Sequence, residues 1–110
     1  MYICVMYANE LIRGTLKSII LKLLAEHGKL YGYEMTRMVR ELSGDKIQIT
    51  EGALYPMLHL LESDGIVTTE SVEIGKRVRK YYKLTSAGKK TAKLKISEMA
   101  DFLKTMQILF

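Results

Sequence analysis

The sequence contains one cysteine, no tryptophan and no long apolar run, and so lacks what disulfide-stabilised and membrane-spanning proteins require. A single cysteine, Cys4, excludes an internal disulfide framework and favours a reducing compartment. No apolar run reaches the roughly 18 residues that would suggest a membrane span. The opening residues 1–9 are apolar but lack the basic start and cleavage site of a secretion signal. We therefore expect one cytoplasmic domain with an apolar N-terminal arm.

Residues for catalysis and metal binding are equally scarce. The two histidines, His27 and His59, fall in different predicted helices, and neither has a nucleophile at a suitable spacing. Gly75-Lys76 lacks the preceding glycine and the hydroxyl residue of a phosphate-binding loop. Cys4 and the histidines are too few and too dispersed for a dedicated metal site. The sequence predicts a protein that is not an enzyme and uses no metal or cofactor.

A predicted helix between Thr50 and Gly65 is the centre of the interpretation. Four apolar residues recur at i, i+3, i+4 and i+7 and would line one buried face: Leu54, Met57, Leu58 and Leu61. Thr50 is a suitable N-cap, and Gly65 is a typical residue for the end of a helix. Pro56 conflicts with this pattern because it has no N–H to donate four residues back. We expect the helix to start late or to open with a distorted turn.

Two further helices are predicted before this one. Apolar residues repeat with helical period over residues 10–26 and again over residues 32–43. Residues 47–49 alternate apolar and polar side chains and form a short edge strand at most. A helix, a turn and a second helix at this spacing are typical of proteins that present a recognition helix to a DNA groove.

A β-hairpin with a basic tip is predicted directly after the central helix. Residues 66–74 and 78–84 are rich in β-branched and aromatic side chains, and residues 75–77 lie between them as a turn. Five cations fall within eight positions: Lys76, Arg77, Arg79, Lys80 and Lys83. Such a cluster is either a solvated turn or an element that contacts phosphates. This order of elements predicts a winged helix-turn-helix over residues 1–85.

The last helix, over residues 86–110, carries an apolar seam. Its members are spaced by alternating steps of four and three residues: Ala92, Ile96, Met99, Leu103, Met106 and Phe110. A seam this long favours a partner helix and therefore a homodimer; the alternative is a helix that folds back along the first one. The fold class is mainly α with a small β-wing (α+β), joined to a C-terminal dimerisation helix.

Several blocks of the sequence together resemble the PadR-type transcriptional regulators, in their short subgroup. The blocks are LYGYEM at 30–35, GALYP at 52–56, LLE at 60–62 with Gly65-Ile66, RKYYKLT at 79–85, and Gly88. The resemblance covers about residues 11–88 and implies a winged helix, dimerisation through the C-terminal helix, and repression from an inverted-repeat operator. Ala53 is a departure, because the family often has a hydroxyl residue there, and effector identity does not carry over.

The predicted DNA-binding residues lie at the starts of two helices and on the wing: Tyr33, Thr50, Gly52, Tyr55, Lys76, Arg77, Arg79 and Lys80. Thr50 could bond a phosphate, and Gly52 allows close approach of the backbone. Tyr55 could offer its hydroxyl to phosphate and its ring to a thymine methyl, or could pack between helix and wing. Tyr33 could hold the adjoining DNA backbone or pack in the core. The wing cations would contact the flanking DNA backbone or minor groove.

Two alternatives remain open at this stage. A small-molecule effector could bind between subunits, with Met99, Phe102, Leu103 and Met106 as candidate walls, or these side chains could fill a dimer core. The winged helix could also serve protein interaction without binding DNA. Of Tyr81 and Tyr82, which alternate on a strand, one should face the core, and the sequence does not say which.

Overall fold

The computed structural model describes residues 12–110, whose elements are four α-helices and a three-stranded antiparallel sheet. Along the chain the elements are α1 Leu16–His27, β1 Lys29–Tyr31, α2 Gly32–Leu42, α3 Glu51–Ser63, β2 Val67–Ile74, β3 Arg77–Leu84 and α4 Ser86–Leu109. This arrangement confirms the predicted winged-helix fold. The apolar arm at residues 1–9 and Cys4 lie outside the described residues.

The core is built where α1 and α3 cross above one face of the sheet. From α3, Leu54, Leu58 and Leu61 are fully buried, as the i, i+4, i+7 spacing predicts. The sheet contributes Tyr82, which is also buried, whereas the neighbouring Tyr81 lies on the opposite face and is half-buried. Successive strand residues point to opposite faces, so Tyr82 is the tyrosine of this pair that faces the core.

The sheet has the order β1-β3-β2, and its first strand is absent from the sequence prediction. β1 has only three residues, too few for an alternating pattern, yet Leu30 pairs with Tyr82 and Tyr31 with Tyr81. At the wing tip, Ile74 pairs with Arg77 and leaves a two-residue connection, in which Gly75 has φ of 62°. A glycine at the first position of a two-residue hairpin loop is typical of a type II′ turn.

Two predicted helix boundaries are wrong. α1 was predicted from residue 10 but begins at Leu16. Thr15 closes a turn before it, because both its N–H and its hydroxyl donate to the carbonyl of Ile12, at 2.9 and 2.7 Å. Residues 10–11 lie outside the described range. Residues 47–49 form no strand. α3 neither starts late nor opens with a distorted turn: it begins at Glu51 and continues through Pro56, which lies on the exposed face.

A polar contact joins the start of α4 to the end of α3. The Thr85 side chain accepts the N–H of Gly88 at 2.9 Å, and its hydroxyl lies 2.6 Å from the Gly65 carbonyl. The Thr85 N–H donates to the Ile66 carbonyl at 3.0 Å. Gly88 is buried here, and a Cβ at this position would collide with that same carbonyl.

The rest of α4 packs on α1 through Ala92 and Ile96 and then leaves the core. Over residues 12–110, no helix has both the length and the apolar character needed to cross a membrane.

Candidate nucleic-acid interface

The start of α3 is exposed and capped by Thr50. The Thr50 side chain accepts the N–H of Ala53 at 3.2 Å, which satisfies one donor of the first turn. The N–H groups of Glu51 and Gly52 precede the first intrahelical bonds, and a helix start of this kind favours an anion. At Gly52, an added Cβ would meet only the Thr50 hydroxyl oxygen, at 3.9 Å. This end of α3 can therefore approach another molecule closely with its backbone.

Tyr55 packs between α3 and α2. Its ring lies against Gly32, the first residue of α2, where an added Cβ would contact the Tyr55 hydroxyl and lie 2.9 Å from its Cζ. The tyrosine is half-buried and lies against the hydrophobic core. These contacts agree with the packing alternative for Tyr55, although the partner is α2 rather than the wing. A contact of Tyr55 with DNA stays a prediction.

This packing has a consequence at high pH. Burial raises the pKa of Tyr55 above its usual value of 10, with smaller contributions of the same sign from Glu51 and Tyr82. A raised pKa in the folded state means that the unfolded chain loses this proton first, so stability is full below about pH 10 and falls as the pH rises further. We expect the free energy of unfolding to fall more steeply above pH 10 in the natural protein than in Tyr55→Phe. Urea titrations between pH 8 and 11 measure this difference; parallel curves for the two proteins would contradict it.

The cations of the wing do not form one group. Lys76 and Arg77 are exposed at the hairpin tip. Lys80 lies on the core side of the sheet, with its Nζ 3.9 Å from Glu62 Oε1 and 5.5 Å from the centre of the Tyr82 ring. Arg79 lies on the opposite face, because adjacent strand residues alternate. Of the four predicted wing contacts, the structure therefore brings Lys76 and Arg77 together at the tip, and neither forms an ion pair with an acid among residues 12–110.

Arg79 belongs to a group of stacked side chains on the outer face of the sheet. Its guanidinium carbon lies 4.1 Å from the centre of the Tyr31 ring, at cation–π distance. The Tyr31 ring meets Tyr81 edge-on, with centroids 5.4 Å apart. A hydrogen bond with Tyr81 is the main cause that raises the pKa of Arg79, and the nearby Tyr31 and Glu34 act in the same direction. Since Tyr31 is also the N-cap of α2, Arg79 links the wing to the helix pair.

Tyr33, which was predicted, and Arg13 and Gln48, which were not, also belong to the candidate interface. Tyr33, 57 % exposed in the first turn of α2, does not pack in the core. A depression of about 190 Å³ borders the start of α3 and is lined in part by Arg13, Gln48 and Ala53. Sequence reasoning missed Arg13 and Gln48 because only the packing of α1 against the loop before α3 brings them to this place. In residues 12–110, no group of three or more potential ligands could hold a metal ion.

The seam of α4 divides into a packed half and an exposed half. Ala92 is buried and Ile96 packs on the core, whereas Leu103 is 58 % and Phe110 98 % exposed. A groove of about 890 Å³ runs between α1, β3 and α4, with an apolar floor that includes Leu24 and Ile96. The four predicted effector residues, Met99, Phe102, Leu103 and Met106, do not line it. They do not line the depression at the start of α3 either.

The geometry defines a winged helix-turn-helix protein: two helices, a capped and exposed third helix, and a hairpin with a cationic tip. The sequence profile of the Transcriptional regulator PadR-like family matches residues 20–94, and the chain belongs to that family. It is 34 % identical over 99 residues to an uncharacterised protein of Lysinibacillus sphaericus, covering 87 % of this chain and 88 % of that one.

Solved structures agree with this assignment. A transcriptional regulator from Clostridium thermocellum superposes with a TM-score of 0.79 at 33 % identity, covering 92 % of this chain and 95 % of the other. A PadR family transcription regulator from Clostridium difficile superposes with a TM-score of 0.73 at 30 % identity, covering 88 % of this chain and 100 % of the other. The predicted family is confirmed: the chain is a transcriptional regulator, and the family is not one of enzymes.

Proposed function

We propose that this regulator is a sequence-specific repressor that binds an inverted-repeat operator in duplex DNA as a homodimer. The observations that carry the proposal are the exposed, capped start of α3 and a hairpin tip at which Lys76 and Arg77 are exposed, with no ion pair to an acid in the described part of the chain. A helix start supplies N–H donors for a phosphate, and tip cations contact the flanking DNA backbone. The net charge of +5 suits a polyanionic partner.

The length and exposure of α4 support the homodimer. Of its 24 residues, only Gly88 and Ala92 are buried, so most of a helix about 36 Å long has little cover from its own chain. Apolar residues of the seam continue along the uncovered half, and a seam of this period is satisfied by a helix of a second copy. Two copies related by a twofold axis would set two α3 helices about 34 Å apart, one turn of DNA.

A gel shift with the DNA upstream of the protein's own gene tests the proposal directly. We expect a shifted band at low salt that survives an excess of unrelated competitor duplex, and a dimer by sedimentation velocity at micromolar concentration. The alternative, a winged helix used for protein interaction alone, predicts no binding of duplex DNA at low salt. That result would overturn the proposed function.

The wing tip should contribute to affinity rather than to sequence choice. We expect the double variant Lys76→Ala and Arg77→Ala to bind all duplexes more weakly and to reduce the slope of log K against log salt by about one unit per lost phosphate contact. Titrations over a range of salt concentrations measure that slope.

The control for the wing-tip variant removes the same charge elsewhere. Lys90→Ala with Lys104→Ala takes two cations from exposed positions of α4 that lie off the apolar seam. This control should keep the slope of the natural protein, because Lys90 and Lys104 belong to α4 and to neither α3 nor the hairpin tip. An unchanged slope in the wing-tip variant would contradict the assignment of Lys76 and Arg77 to phosphate contacts.

A small-molecule effector that relieves repression is a further part of the proposal. Met99, Phe102, Leu103 and Met106 would form its walls when a second subunit covers them, since Phe102 and Leu103 are 51 % and 58 % exposed and the groove between α1, β3 and α4 is lined by other residues. Such a ligand would act by favouring one separation of the two α3 helices over another. Calorimetric titration of candidate ligands into the dimer, with and without operator, would detect this coupling.

A further inference from the structure

The outward face of α3 carries no lysine, arginine, asparagine or glutamine. The buried face, with Leu54, Leu58 and Leu61, lies against the core, and the residues opposite to it are exposed. Between the exposed polar residues at the two ends of the helix, Glu51 and Ser63, the exposed residues are small or apolar apart from one histidine: Gly52, Ala53, Pro56, His59 and Leu60. Leu60, a large apolar side chain, is 51 % exposed.

This composition restricts how α3 could read a major groove. Guanine is most often recognised by a bidentate arginine or lysine, and adenine by asparagine or glutamine, and this helix has none of them. The feature of a base pair that an apolar side chain recognises is the C5-methyl group of thymine. Ala53, Pro56 and Leu60 present three apolar groups of this kind along one side of the exposed face.

The backbone geometry permits the short contacts that methyl recognition needs. Gly52 has no side chain to hold a base edge away, and an added Cβ would meet no atom other than the Thr50 hydroxyl oxygen within 4 Å. The phosphate contacts that bring the helix into the groove can come from its edges, where Arg13 borders the start of α3 and Lys76 and Arg77 form the wing tip. Affinity and base selection are then separated between different elements.

We propose that α3 selects its half-site chiefly through the methyl groups of thymines, with Ala53, Pro56 and Leu60 as the contacting residues. The proposal rests on the proposed DNA binding and names the base feature that this surface recognises. Apolar contact accounts for selectivity here because, between Gly52 and Leu60, His59 is the exposed side chain with a strong hydrogen-bonding group, whereas Tyr55 is half-buried with its hydroxyl against Gly32.

Deoxyuridine tests the proposal, because it pairs as thymine does but lacks the methyl group. A duplex is first selected from random DNA, and each thymine of a half-site is then replaced singly by deoxyuridine. We expect a loss of about fourfold in affinity at one or more positions in each half-site, the effect of removing one buried methyl group. In Leu60→Ala, the discrimination between thymine and deoxyuridine should disappear at one of these positions, whereas Leu94→Ala should keep it, since Leu94 is exposed on a different helix.

The possible failures are distinguishable. If no duplex is enriched and none binds at low salt, the proposed DNA-binding function is wrong, and the thymine proposal is wrong with it. If a specific duplex binds and its fully deoxyuridine-substituted form binds equally well, only the thymine proposal is overturned. If Leu60→Ala still distinguishes thymine from deoxyuridine at every sensitive position, Leu60 is not a contacting residue, and that part of the proposal is overturned.

Discussion

Replacing Gly88 by alanine is expected to lower the free energy of unfolding by about 3 kcal/mol, a large effect for one added methyl group. The Cβ would be driven into the carbonyl of Ile66, a backbone atom that cannot rotate away as a side chain can. That carbonyl already accepts the N–H of Thr85, and the Thr85 side chain caps α4 by accepting the N–H of Gly88. Relief of the clash would therefore pull α4 from the end of α3. Urea denaturation followed by circular dichroism measures the change.

Gly52→Ala is a matched control for this variant. Both glycines lie in the first turn of a helix, but the space around Gly52 is open. Alanine is the better helix former by about 0.5–1 kcal/mol, so this variant should be as stable as the natural protein or slightly more stable. Equal stabilities for Gly88→Ala and Gly52→Ala would show that the close contact at Ile66 does not restrict residue 88.

The second large effect is expected on α4. Leu103→Glu with Met106→Glu should convert the proposed homodimer to a monomer, because two carboxylates would have to lose water in an apolar interface. Operator affinity should then fall about 100-fold or more, since a monomer reaches one half-site and loses the advantage of linked binding. Sedimentation velocity measures the first change, and a gel shift measures the second.

Leu94→Glu is the control for this double variant. Leu94 is an exposed apolar residue of the same helix, and it lies on the side opposite the seam. The control should remain a dimer with natural affinity for the operator. A double variant that is still a dimer at micromolar concentration would exclude the C-terminal half of the seam as the interface. A monomer with undiminished affinity would contradict binding as a twofold dimer.

Local patterns were sufficient to predict most of the fold. The buried residues of α3 repeat with helical period, and Thr50 and Thr85 are hydroxyl caps directly before helices, so each of these signals lies within one turn of the chain. The wing was predicted for the same reason, because two β-rich runs flank a glycine turn. Pro56 misled the prediction for α3, since the core contacts of Leu54, Leu58 and Leu61 hold the helix together despite the missing N–H.

The candidate site was less predictable than the fold. Arg79 and Lys80 are adjacent in the sequence and read as one basic cluster, yet they lie on opposite faces of β3. The packing partner of Tyr55 was not predictable either, because Gly32 is 23 positions away in the sequence. β1 has three residues and carries no periodicity of its own.

The sequence by itself determined the family, the four helices and the wing hairpin, the Thr50 cap and the apolar seam of α4, because each helix, turn or cap depends on residues close together along the chain. Only the tertiary structure decided which cations remain unpaired, which tyrosine is buried, and why residues 32 and 88 are glycines. Those outcomes depend on contacts between segments distant in sequence: Tyr55 against Gly32, Arg79 over Tyr31, and the Ile66 carbonyl against Gly88. Spacing along one chain does not encode such distances, whereas close packing of the core sets them.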